Sequence, residues 1–224
     1  YEIPLCLVGS DMCIRDSYST LNLSTFNTEL NGFNFKQKRE LMTLLIFGNI
    51  LWIIAHTFKR LLPNFRNSLG NAGKGAVAFL IIISLVLMIL GYRSAEYIGV
   101  WTPPQFFLHI NNLMMVAAVF VFAIGHTKGR LRGRLRHPML TSVKIWALAH
   151  LLVNGDLASI ILFGSMLAWA AMAVVLINKS ETWERPEPGE AKKDAVLVVI
   201  VLSVYVLVSG IHWALGVWPF PGAA

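Results

Sequence analysis

The chain alternates long apolar runs with short polar, mostly basic segments, and the apolar runs show no strand-like alternation. A membrane-spanning helix needs about 20 predominantly apolar residues. Six stretches qualify or come close: Met42–Leu62, Gly75–Tyr92, Pro104–Gly125, Pro138–Val153, Asp156–Ile177 and Ala195–Val217. The pattern therefore predicts an all-α fold, a polytopic membrane helix bundle of about six transmembrane helices. The second and sixth spans are apolar all round, whereas the fourth is short and contains Lys144. Pro63 closes the first span, and Trp101-Thr-Pro-Pro104 enters the third; proline suits the first helical turn, where no amide donor is needed. Asn154-Gly155-Asp156 predicts a tight turn that makes spans four and five antiparallel neighbours, with Asp156 as the N-cap of span five.

Residues 1–41 do not share this pattern. Tyr1–Ser17 has a short apolar run with no basic segment before it and charges directly after it, so it fails as a signal peptide. Residues 18–41 are polar, rich in Asn, Ser and Thr, and lack a period. Residues 1–41 are expected to be a non-native translated leader or a disordered tail. The transmembrane domain is expected to occupy 42–224.

Composition agrees with the membrane reading. Of the 224 residues 56% are hydrophobic and only 14% charged, against about 45–50% and about 25% in soluble domains. The net charge of +7 lies mainly in three loops. Lys59, Arg60, Arg66 and Lys74 follow span one, five cations between Lys128 and Arg136 follow span three, and Lys179, Arg185, Lys192 and Lys193 follow span five. The other side carries Arg93. The positive-inside rule then predicts that the odd-numbered loops are cytoplasmic. These loops are expected to meet anionic lipid headgroups, and no nucleic-acid partner is expected. Gly70–Gly75 is not a phosphate loop, because position 68 is Ser and position 75 is Gly; it reads as a turn. Both cysteines, Cys6 and Cys13, lie in the leader, so they support no disulfide or zinc argument.

Candidate chemistry rests on six histidines, since ionisable groups at membrane depth point to function. His126 and His137 bracket the basic loop; His126 reads as an interfacial side chain, and His137, before Pro138, as a residue that caps or positions span four. His109, beside Asn111 and Asn112, and His212 lie near the outer ends of spans three and six. Either can hydrogen-bond a neighbouring helix or serve as a ligand. His56 and His150 are the strongest pair. His150 shares a helix face with Val143, Trp146 and Ala147, and Lys144 faces elsewhere. By rise per residue, His56 lies about 9 Å and His150 about 18 Å from the cytoplasmic ends of their spans. Neutral imidazoles in an apolar bundle suit axial ligation of haem iron as well as plain hydrogen bonding in a core. Acid–base catalysis by paired carboxylates is not supported, because Asp156 is the carboxylate nearest a span and sits at its end. Neither HExxH nor GxSxG occurs. A carrier would be expected to show buried acids or broken helices, and the small residues Ala168, Ala170, Ala171 and Ala173 of span five read as close helix packing.

The block Arg136-His-Pro-Met-Leu140, Trp146-Ala-Leu-Ala-His150 and Asn154-Gly-Asp-Leu-Ala-Ser159 resembles the NnrU family, supported by Trp52, His56, Gly91-Tyr-Arg93 and Trp101-Thr-Pro-Pro104. The resemblance runs from Met42 to about Ile177. It implies a protein of the bacterial inner membrane associated with nitrite and nitric oxide metabolism. A related branch holds 15-cis-zeta-carotene isomerase, a haem b enzyme whose ligating histidines match His56 and His150. This similarity implies haem b at those two residues, and an apolar polyene or a respiratory-chain partner. A cysteine implicated as a ligand in that isomerase is replaced here by Ala147, and Asn154-Gly-Asp156 sides with the NnrU branch.

Overall fold

The computed structural model describes the backbone of residues 23–220 and side chains from residue 42 onward. Seven helices follow in order: α1 (Leu23–Leu61), α2 (Pro63–Ser68), α3 (Gly70–Ser94), α4 (Phe107–His126), α5 (Pro138–Val153), α6 (Leu157–Ser180) and α7 (Lys192–Ala214). Among the described residues there is no sheet; a single antiparallel bridge joins Gly99 and Asp156. Five helices are long and apolar enough to cross a membrane, counting Met42–Leu61 within α1, and α5 is a shorter apolar helix of 16 residues. At about 1.5 Å per residue, α5 is some 24 Å long, under the roughly 30 Å hydrocarbon core.

Two local expectations change. The helix α1 extends back to Leu23, so residues 23–41 have helical backbone where an aperiodic stretch was expected. The good helix formers Lys36-Gln-Lys-Arg-Glu-Leu41 favour helix in the last part of this stretch. Residues 1–22 lie outside the described residues. The segment Gly70–Gly75, read as a turn, is instead the first part of α3. The chain turns before it: α2 ends at Ser68, and Gly70 takes φ +52, after which the apolar run carries the helix.

Hydrogen bonds fix which loops share an end of the bundle. Val100 and Trp101 donate backbone amides to the Gly155 carbonyl at 2.8 and 3.1 Å, and Leu157 donates to Ile98 at 2.8 Å. This joins the α3–α4 loop to the α5–α6 turn. A Cβ on Gly155 would overlap the Trp101 carbonyl, so the turn needs glycine for close approach. At the other end, Gly189 donates to the Gly129 carbonyl at 3.0 Å, and Arg136 Nη2 donates to the Glu181 carbonyl at 2.6 Å. Arg60 bonds Ser180 Oγ and Glu181 Oε1 at 3.1 and 2.9 Å, bringing the end of α1 to the same place. The basic loops after α1, α4 and α6 thus gather at one end. Arg136 thereby caps the carbonyl at the end of α6, and Arg60 bonds the side chains there.

The core runs along α6. Gly91 lies against the Leu45 backbone, so α1 and α3 pack without a side chain between them. Ser142 Oγ donates to the Ala118 carbonyl at 2.8 Å, tying α5 to α4. On α6, Ala170 and Ala173 are buried, as close packing requires, but Ala168 and Ala171 are exposed. The helix α7 buries only Leu197 and is the least buried of the five membrane-length helices.

Candidate functional site

Two of the helices carry the same local unit, Trp52-Ile-Ile-Ala-His56 on α1 and Trp146-Ala-Leu-Ala-His150 on α5. In each, the histidine Nδ1 is 2.9 Å from the tryptophan carbonyl four residues back. A carbonyl only accepts, so Nδ1 carries the proton and Nε2 keeps its lone pair. This is the ring state a metal-ligating histidine needs. His212 and His126 make the same bond, to Val208 and Phe122 at 2.8 and 3.0 Å. His137 differs: its Nε2 meets Asn178 Oδ1 at 2.8 Å, so that nitrogen is already used. It occupies the N-cap position of α5 and ties the start of α5 to the end of α6. His109 is exposed at the first turn of α4.

His56 lies in a tryptophan cage. Its ring is 4.1 Å from that of Trp52 and 4.9 Å from that of Trp169, and the two indoles meet edge-on at 5.6 Å. Both indole N–H groups are buried without a hydrogen-bond partner among the described residues. Such donors cost on the order of 1–3 kcal/mol each when unsatisfied. Asn49, seven residues before His56 and on the same face, donates to the Leu45 carbonyl at 3.1 Å and leaves its Oδ1 unpartnered.

His150 has other neighbours. Phe163 stacks on it at 4.6 Å and 29°, Trp146 stands 5.2 Å away, and His212 of α7 lies 6.4 Å away, all between ring centres. Val143, Trp146 and Ala147 belong to the same core cluster, as the helical spacing predicts. Among the described residues no ring contact joins His56 and His150. Their α6 contacts, Trp169 and Phe163, are six residues apart, which is about 9 Å of rise. The expected difference in depth is therefore present. The nearness of His150 to His212 was not anticipated.

The remaining motif residues hold this arrangement in place. Asn154 Nδ2 donates to the His150 carbonyl at 2.8 Å and closes the last turn of α5. Asp156 caps α6, accepting from the Ser159 amide at 2.9 Å and from Ser159 Oγ at 2.5 Å. Tyr92 Oη meets Ser159 Oγ at 2.9 Å, and the Tyr92 ring contacts Phe163. The α5–α6 turn is thus braced, through Phe163, against the face of His150.

The family model for the NnrU protein matches residues 44–219. The chain belongs to the NnrU family. No curated protein and no solved structure matches it. Residues that carried the resemblance to NnrU proteins hold distinct places in this fold. Trp101, Gly155, Asn154 and Asp156 build the α5–α6 turn and its contact with the α3–α4 loop, Trp52, His56, Trp146 and His150 line the core beside α6, and Arg136 and His137 tie the start of α5 to the end of α6.

The chemistry of the donors suits haem b at either unit: neutral imidazoles with free Nε2 lone pairs, enclosed by aromatic side chains. When bound, such a group would supply a redox-active iron. The Trp52 and Trp146 carbonyls orient the two imidazoles.

Proposed function

We propose that this NnrU protein is an accessory protein of nitrogen-oxide metabolism in the bacterial inner membrane and that it binds haem b through His56 and His150. The observation that carries this reading is the repeated Trp-x-x-x-His unit, in which a backbone carbonyl fixes the tautomer and leaves Nε2 available. The basic loops share one end of the bundle, which supports placing that end in the cytoplasm. A respiratory-chain partner fits this reading.

Haem-dependent carotenoid isomerisation is the competing reading, with an apolar polyene as substrate. It is less well supported, because the position that would offer a thiolate near His150 is Ala147, which is fully buried in the core. One strain comparison separates the two. Cells lacking this chain should reduce nitrite and nitric oxide more slowly while keeping their carotenoid isomer profile. Accumulation of a cis-carotenoid with unchanged nitrogen-oxide reduction would overturn the proposal in favour of the isomerase.

A further inference from the structure

At the end where the basic loops gather, a cleft of 410 Å³ opens between α4 and α7. Its wall is apolar, made by Phe120, Leu197 and Val198. Its rim is polar, made by Arg130, Arg134 and Asp194. Asp194 is fully engaged: Arg130 Nε reaches Oδ2 at 2.5 Å, and the Arg130 amide reaches Oδ1 at 2.9 Å. That pair neutralises itself and ties the basic loop to the first turn of α7. The Arg134 guanidinium has no hydrogen-bond or ion-pair partner among the described residues, so the rim keeps one net positive charge. Phe120 is six residues before the end of α4, about 9 Å below the loop, at the depth of acyl chains rather than headgroups.

We propose that this cleft is a binding site for one anionic phospholipid of the surrounding leaflet. The phosphodiester oxygens accept from Arg134, and an acyl chain lies along Phe120, Leu197 and Val198. A cation set directly above an apolar trough at the membrane boundary matches both ends of such a lipid, and basic pockets between transmembrane helices recognise anionic headgroups in this way. Free phosphate would use the rim alone, and a zwitterionic lipid brings its own ammonium to compete with Arg134. The inference deepens the expected contact with anionic headgroups and rests on the membrane reading, not on haem.

The test is native mass spectrometry of the full chain from detergent, with phosphatidylglycerol or phosphatidylcholine at equal mole fraction. At least fivefold greater retention of phosphatidylglycerol is expected. Arg134→Gln should remove that preference. Val198→Trp, which fills the trough and alters no charge, should lower retention too. Arg132→Gln, in the same loop but outside the cleft, should leave it unchanged. Equal retention of the two lipids, equal loss in the Arg132 and Arg134 variants, or displacement by inorganic phosphate alone would each overturn the site. Haem absorbance read on the same samples separates this failure from failure of the proposed function, and elution profile with helical circular dichroism verifies folding.

Discussion

The two Trp-x-x-x-His units are alike in sequence and in their internal hydrogen bond but differ in what surrounds them. Around His56 stand two indoles whose N–H groups lack partners. Around His150 stand a phenylalanine face, the Trp146 indole and a second imidazole. The lesson is that a local motif sets the tautomer, while helix packing sets the chemistry offered to a ligand. The α1 unit offers hydrogen-bond donors beside a nitrogen lone pair. The α5 unit sets its lone pair between a phenylalanine face and a second imidazole.

Three substitutions sharpen this contrast. Trp169→Ala should have the largest effect, because it removes a buried aromatic shared by His56 and Trp52; truncations of this kind cost about 3–5 kcal/mol. Thermal unfolding in detergent should show the loss, and an unchanged midpoint would mean the cage is not part of the core. Asp156→Ala acts only on the α5 side. It deletes an N-cap and frees Ser159, so about 1–2 kcal/mol of stability should go, read by the same measurement. A null result would separate the α5–α6 turn from the His150 face. Trp52→Phe should be the mildest, within about 1 kcal/mol of wild type in protein without ligand, since the deleted N–H has no partner to lose. A large loss would show that this indole is hydrogen-bonded after all.

Much of the fold was legible because hydropathy and punctuation are local signals. Pro138–Val153 agrees at both ends because Pro138 starts the helix and Asn154 stops it. Asp156 caps α6 as its residue type and position suggest. The face of His150 followed from spacing by three and four. What could not be read depends on packing between distant segments. No periodicity reports that α7 brings His212 beside His150, or that Trp169 meets His56. The basic loops were legible as a group, but not the use of Arg136 to cap the end of α6 or the bonds from Arg60 to the side chains there. The start of α3 at Gly70 was hidden because three glycines and an asparagine resemble a turn when read without the apolar run behind them.

The most direct test is spectroscopic. Oxidised and reduced absorption spectra of the full chain, purified from haem-replete cells, should be recorded beside His56→Ala, His150→Ala and His212→Ala. The account predicts haem b bands in wild type and in the His212 variant, and loss of most of that absorbance in the other two. Well-folded wild-type protein without haem would contradict it. So would full haem in His56→Ala with loss in His212→Ala, which would move the site to the pair between α5 and α7.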